Sequence, residues 1–389
     1  RRTSGPLPSA LMTLTNRRLN RATLARQHLL ARRPGPVTDV TGDVLGLQAQ
    51  EPASIYLALW NRVSSFDPTE VDDAFASGDL VRAPLMRITL HAVRRQDHPA
   101  FWEAMAANLR ASRVNDRRFT TTGLDPTEVD ALIPALVDFV AQPRTVVEVE
   151  ELIAEYFGDP PEPRIWWALK TYAPLVHEPT GPPWSFDRTR VVRAPPTEPS
   201  RPAPAEALRH LLLRYLAAFG PATARDFGQF ALQRQAEIKP AIEALTDELV
   251  LHEGPGGETL YDIPDAPLPD EGMVAPPRLL GMWDSLLLAH ADRSRVIPEE
   301  LRKVVVRTNG DVLPTLLVDG RVAGVWRATE HGVEAQALGT IGESDWKGLE
   351  AEAADLQHLL ADRDPQPYRR YHHWWNKLPA GDTRLLAPA

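Results

Sequence analysis

With 389 residues, 43% of them apolar and 24% charged, the chain is long enough for about two or three domains and ordinary in composition for a globular protein. It has no cysteine, which excludes disulfides, thiol nucleophiles and Cys-ligated zinc, and no apolar run nears the roughly 18 residues of a membrane-spanning helix. The net charge of −9 argues against a general nucleic-acid coat, yet the charge is segregated: residues 1–38 carry eight Arg and no acid, residues 82–118 eight Arg and three acids, and residues 124–162 one Arg and ten acids.

The Arg-rich start lacks the apolar core of a signal peptide, and Met12 is a candidate start that would leave residues 1–11 as an extension. A cytoplasmic location is expected. From residue 14 onward one order of elements recurs. Residues 19–30 have helical periodicity, and Thr41 is expected to cap a short helix with Asp43 in its first turn. Asp67-Pro68-Thr69-Glu70 starts the next helix, with Asp as cap and Pro in the first turn. Residues 80–85 and 87–93 read as strands. Asp125-Pro126-Thr127-Glu128 then repeats the same helix start. Helices are expected at 129–140, at 146–156 and from Pro163 through Trp166, Trp167 and Leu169, with short strands at 184–186 and 190–192. A Pro-rich stretch, 195–204, leads to helices at 205–219, 223–231 and 238–249. A hairpin across Gly256-Gly257 follows.

Three helices and two strands form the pattern of a winged helix-turn-helix, and three copies in tandem argue more strongly than one. Beyond residue 264 strands dominate. Asn309-Gly310 and Asp319-Gly320 are hairpin turn pairs, strands are expected at 313–318 and 322–326, and a final helix at 346–360. The fold class is mainly α with β (α+β). It comprises winged helices at 14–118, 119–200 and 201–265, then a small C-terminal β-domain and helix at 266–389. The tail Tyr368-Arg369-Arg370-Tyr371-His372-His373-Trp374-Trp375 is able to stack on bases, but packing at a helix end accounts for it more simply.

The chemistry centres on Gly46-Leu47-Gln48-Ala49-Gln50-Glu51-Pro52. In an extended segment Gln48 and Gln50 project to one side. Two neutral amides can hold a water or a sugar, but they are poor general bases, so the substrate must carry a very good leaving group. A solvent-facing polar strand edge is the plainer reading of the spacing alone. A second Gln-x-Gln, Gln233 and Gln235, lies in a charged helical run.

Several stretches together resemble the AlkZ-type DNA glycosylases, bacterial enzymes linked to azinomycin resistance. Gly46 to Pro52 is similar to their Gln-x-Gln motif. Leu85-Met86-Arg87-Ile88-Thr89-Leu90-His91 resembles a stretch that usually reads Met-Arg-Gly-Thr-Leu-His, with Ile88 in place of Gly. Trp283-Asp284-Ser285-Leu286-Leu287-Leu288-Ala289-His290-Ala291-Asp292-Arg293 is similar to Asp-x-x-Leu-Leu-x-His-x-Asp-Arg, and residues 313–326 resemble the C-terminal hairpin. Sister enzymes carry Gln-x-Asp, so Gln50 aligns this chain with the azinomycin-resistance branch.

The resemblance implies a monofunctional glycosylase that hydrolyses the N-glycosyl bond of N7-alkylated purines and unhooks N7-linked interstrand crosslinks. It also implies tandem winged helices around a DNA channel, with Gln48 and Gln50 as the catalytic pair. Expected partners are double-stranded DNA carrying N7-alkylguanine or crosslinks and no membrane. A monomer without cofactor or metal is expected. The chemistry is coherent: N7 alkylation makes guanine cationic, the bond breaks through an oxocarbenium-like state, and the water needs orientation more than deprotonation. His290, Asp292 and Arg293 form a second candidate site. Either His290 or Arg293 contacts the lesion or backbone with Asp292 orienting it, or a buried His–Asp bond holds the β-domain on a winged helix. Arg17, Arg18, Arg21 and Arg87 are candidate phosphate contacts. The competing readings are a non-catalytic winged-helix regulator and a protein that sequesters the alkylating drug.

Overall fold

The computed structural model describes residues 12–158, 162–187, 189–196 and 202–388. The expected extension at residues 1–11 and much of the Pro-rich linker therefore lie outside the described residues. The fold is mixed α+β. Helix Asn16–Arg26 starts at Thr15, whose side chain accepts from the Arg18 amide, and His28 turns the chain away at φ 54°. Thr41 does not start a helix. It lies in the last turn of helix Val37–Asp43, where its hydroxyl donates to the Val37 carbonyl at 2.8 Å. The repeated Asp-Pro-Thr-Glu starts behave alike: Asp67 and Asp125 each accept from the amide two residues on, at 2.8 Å, and open helices Pro68–Ala76 and Pro126–Ala131.

The strands of the first two units share one antiparallel sheet. In chain order they are β1 (Leu47–Gln48), β2 (Leu80–Pro84), β3 (Leu90–Arg94), β4 (Arg144–Thr145), β5 (Val176–His177) and β6 (Val191–Arg193), and the spatial order is β1-β3-β2-β5-β6-β4. The join is the pairing of Arg82 with His177. Pairing covers an edge that each wing alone would leave open. Residues 184–186 are not a strand. Trp184 and Phe186 are buried and pack on Tyr56 and Phe75 at ring distances of 5.0 and 4.9 Å, and that packing overrides their strand propensity.

The third unit has helices Pro204–Phe219, Ala224–Ala231 and Gln235–Ala244, then the hairpin of β7 (Val250–Glu253) and β8 (Thr259–Asp262). A second sheet follows in the order β13-β12-β11-β10-β9, built from β9 (Arg278–Leu280), β10 (Thr315–Val318), β11 (Arg321–Thr329), β12 (Gly332–Ala337) and β13 (Thr383–Pro388). Asp319 and Gly320 form the β10–β11 turn with φ 46° and 76°, the left-handed pair that a tight hairpin needs. Helix Glu343–Ala361 packs on this sheet, as expected. The terminal strand β13 and the 3-10 helix Arg369–Lys377 were not legible in the sequence.

Two apolar cores cross the unit boundaries. One joins the helices around Ile55–Leu59 to the C-terminal sheet, and the other joins the second and third units through helix His98–Val114. Within the first, Arg62 and Asp284 form a buried two-pronged ion pair at 2.8 Å on both arms. It locks the helix that follows the Gln segment to the Trp283-Asp284 stretch.

Candidate active site

Gly46 brings the chain into β1 at φ 95°. A Cβ there would meet Val93 Cγ1 at 2.7 Å and the Ala92 carbonyl at 2.9 Å, so only glycine fits beside β3. Gln48 then pairs with His91, and the Ala49 amide donates to Leu90 O at 2.7 Å. The segment leaves the sheet at Gln50 and turns into helix Pro52–Trp60, for which Glu51 is the N-cap residue.

The two amides have different surroundings. Gln48 is 5% exposed. Its Oε1 accepts from Arg87 Nη2 at a long 3.4 Å, and the same Nη2 faces His91 Nε2 at 3.3 Å. Arg87 only donates, so it orients the amide with its oxygen towards the guanidinium. Gln50 is exposed on the wall of a cleft of about 1010 Å³, where Glu51, Arg82, Ile88, Lys170 and Arg190 are also exposed to the void. Arg82, 8% exposed, reaches under the segment and donates from Nε to the Ala49 carbonyl at 3.0 Å. The Gln strand is therefore held from both sides, by β3 along its edge and by Arg82 at its centre.

Arg87 and Ile88 both take left-handed backbone, φ 54° and 57°. This explains why the related stretch favours Gly at the second position, and a β-branched Ile there carries strain. The kink aims Arg87 back at Gln48 and over the Phe230 ring, 4.9 Å from its centroid. Burial, then the charge of Arg293, push the Arg87 pKa down to about 10, which leaves it cationic at neutral pH.

His91 is fully buried, and its Nδ1–H donates to the Thr89 carbonyl at 3.0 Å. Burial, then Arg87, push its pKa down to about 3. His290 behaves similarly: burial, then Arg295, push it down to about 3. A histidine that is neutral when folded and protonates near 6.5 when unfolded binds more protons unfolded throughout that interval. Stability is therefore full above pH 6.5 and is lost as pH falls towards 3. The unfolding free energy from urea titration is expected to drop steadily from pH 6.5 to 4.5, by on the order of 1 kcal/mol per pH unit for each such histidine. A flat profile over that range would contradict their buried neutral state.

The other sequence candidates lie elsewhere. Residues 285–293 are not extended: Ser285–Leu287 is a 3-10 turn, and the rest is irregular. His290 is 2% exposed, its ring nitrogen donates to the Phe219 carbonyl at 3.0 Å, and Arg295 and Asp226 are among its charged neighbours, the latter accepting from the Ala291 amide at 2.8 Å. Asp292 orients neither His290 nor Arg293; it is exposed and accepts from the Ser294 amide and hydroxyl. This stretch thus docks on the third unit through the His290–Phe219 and Ala291–Asp226 hydrogen bonds, and among the described residues no His–Asp hydrogen bond forms there. Arg293 is half-buried, close enough to Arg87 for their charges to interact.

Arg17 and Arg21 both pair with Asp319, and Arg21 is 1% exposed with further bonds to Met273 O and Asn20 Oδ1 at 2.6 Å. They clamp the first helix to the β10–β11 turn, with the Arg17 side chain still 49% exposed. Arg18 makes no ion pair among the described residues.

Glu51 lines the cleft beside Gln50. It accepts from the Tyr371 hydroxyl at 2.9 Å and pairs with Arg370. The aromatic tail is thus a brace on the site, with Tyr368 OH also 2.9 Å from Ser54 Oγ. Among the described residues no three His, Asp or Glu side chains gather closely enough to hold a metal ion.

A family model described as DNA glycosylase AlkZ-like matches residues 41–359. The chain belongs to the AlkZ-like DNA glycosylase family. That places it among the hydrolases of N-glycosyl bonds, with DNA as the substrate. An interstrand DNA cross-link repair glycosylase of Streptomyces sahachiroi is 26% identical over 366 residues, which cover 86% of this chain and 93% of that protein. The solved structure of the Streptomyces sahachiroi DNA glycosylase AlkZ superposes with a TM-score of 0.77 at 24% identity, over 92% of this chain and 99% of the other. These values make the chain a relative of the Streptomyces enzyme and a distinct protein. Family membership favours neither the regulator nor the drug-sequestering reading. Among the described residues no helix is long and apolar enough to cross a membrane.

Proposed function

We propose that this AlkZ-like glycosylase releases N7-alkylated purines from duplex DNA, acts on N7-linked interstrand crosslinks of the azinomycin type, and uses Gln48 and Gln50 as its catalytic amides. The observation that carries this reading is a Gln segment, held by β3 and Arg82, that places an exposed Gln50 on the wall of a large cleft two residues after a buried Gln48. A base that departs neutral needs no proton donor, so a site without a general acid suffices. Gln50 accepts from the attacking water at the cleft wall, and the free lone pair of the oriented Gln48 oxygen lies near the cationic sugar. Glu51 supplies negative charge beside the same position. The enzyme works as a monomer on duplex DNA in the bacterial cytoplasm. Winged helices at 14–118, 119–200 and 201–265 present the cleft to the duplex, and the β-domain closes its rear.

The test is a duplex with one N7-methylguanine and a second with one azinomycin-type crosslink. The expected products are free 7-methylguanine with an alkali-labile abasic site, and strands that separate on a denaturing gel. Abasic sites from the methylated duplex with intact crosslinks would restrict the function to monoadducts. Neither product, from folded protein that binds both duplexes, would overturn the reading.

A further inference from the structure

One wall of the cleft carries cations that, among the described residues, form no ion pair. Arg82 on β2 and His177 on β5 are cross-strand partners. Lys170 comes from helix Pro163–Tyr172 and Arg190 from the residue before β6, and all four line the cleft that Gln50 lines. Among the described residues Arg82, Lys170 and Arg190 form no ion pair. The carboxylates of the same cleft are already engaged: Glu51 by Arg370 and Tyr371, Glu178 by Arg193, Asp187 by Thr180 and the Thr189 amide, and Asp364 by the Gln366 amide.

This arrangement is costly in the free protein. Arg82 is 8% exposed and stacks 4.5 Å from the Phe186 ring centroid, so water screens it poorly. Burial, then Arg82, Arg190 and Lys170, push the His177 pKa down to about 3, as expected where like charges converge. Clustered cations without counter-ions in a concave site are stabilised by an anion that enters it.

We infer that Arg82, Lys170 and Arg190 form a subsite for one DNA backbone phosphate next to the lesion, which registers the damaged strand against Gln50. The ligand class follows from the geometry. The three cations come from three separate elements, line one cleft of about 1010 Å³, and lie close enough for Arg190 to interact with both Arg82 and Lys170, a cluster that suits the two unesterified oxygens of a phosphodiester. Arg82 makes the subsite more than a general attraction for DNA. The same guanidinium that faces the cleft donates to the Ala49 carbonyl, between the two glutamines, at 3.0 Å. A phosphate held there is one hydrogen bond away from the catalytic strand. This inference rests on the glycosylase reading for the identity of the strand.

Arg82 also supports the Gln segment, so it is not the residue to change. The variants are Lys170→Gln, Arg190→Gln and the pair together, with Arg234→Gln, exposed on the third unit, as control. Binding is measured by fluorescence anisotropy over a salt series to a duplex carrying N7-methyl-2′-fluoro-2′-deoxyguanosine, whose sugar fluorine slows hydrolysis. A set of duplexes then replaces single phosphates flanking the lesion by methylphosphonates. Wild type is expected to have one linkage whose neutralisation weakens binding about tenfold, and the double variant to lose that sensitivity together with about one unit of salt slope. Arg234→Gln is expected to retain both. The inference is overturned if wild type shows no such linkage, or if the double variant, with unchanged melting temperature, keeps the sensitivity. Excision of N7-methylguanine is measured with the same proteins. Lack of excision by wild type would strike the glycosylase reading while leaving a phosphate site that passed the binding test. Excision with unchanged phosphate sensitivity would strike only the subsite.

Discussion

Gln50→Ala is expected to slow single-turnover release of 7-methylguanine by about 10²–10³-fold while changing DNA affinity only a few-fold. Gln50 is exposed, and among the described residues it makes no side-chain hydrogen bond, so its removal leaves no buried group unsatisfied. The whole effect should fall on the reacting water. Gln48→Ala has a different signature. It removes the amide that accepts from Arg87, which sits among Phe230, His91 and Arg293 with no carboxylate partner among the described residues. A rate loss of similar size should therefore come with a stability loss of roughly 1–2 kcal/mol. Rapid-quench excision and urea titration on the same preparations separate the two variants. Equal stability losses, or a Gln50→Ala rate within tenfold of wild type, would contradict the division of labour.

The second large effect is structural. Arg62→Ala is expected to cost about 3–5 kcal/mol, because it strands the Asp284 carboxylate in the interior. Both side chains are 1% exposed, and Arg62 additionally donates to the Ala58 carbonyl at 3.0 Å. Asp284 also caps the following 3-10 turn through the Leu286 amide at 3.0 Å, so that turn should loosen as well. The paired change Arg62→Met with Asp284→Leu should recover much of the loss, since the penalty belongs to the unpaired charge and not to the absence of a salt bridge. Urea midpoints of the three proteins test this. A cost below about 1 kcal/mol for Arg62→Ala would mean that the pair is hydrated and not a lock. The pair also lines a small cavity of about 10 Å³ with Gln48 and Ser54, so Arg62→Ala should lower activity through the position of Gln48.

Local signals in the sequence marked much of this fold. The duplicated Asp-Pro-Thr-Glu helix starts and the Asp319-Gly320 turn are decided by residues within a few positions, and their chemistry operates as expected. The Gln segment was legible for the same reason, as a short extended stretch before a Pro-initiated helix. Features set by distant partners were not legible. Trp184 and Phe186 look like strand residues, yet they are ring-packing residues because Tyr56 and Phe75, more than 100 positions away, define their environment. The sequence suggested that Asp292 orients His290 or Arg293, but an irregular backbone exposes Asp292, and His290 bonds the Phe219 carbonyl, 71 positions upstream. Arg82 carried no local signal. Only the fold shows that it reaches the Ala49 carbonyl across the sheet. A count of basic residues equally could not separate Arg17 and Arg21, neutralised by Asp319, from the unpaired cations of the cleft.

The central claim is that two amides suffice because the alkylated base is cationic while attached and leaves neutral. The most direct measurement is base release under single-turnover conditions from one duplex sequence with either N7-methylguanine or unmodified guanine at the same position, using wild type and the Gln48→Ala, Gln50→Ala double variant. Wild type is expected to release 7-methylguanine and no detectable guanine, and the double variant, still binding both duplexes, to release neither. Release of unmodified guanine by wild type, or undiminished release of 7-methylguanine by the double variant, would contradict the account and require an acid or base elsewhere in the cleft.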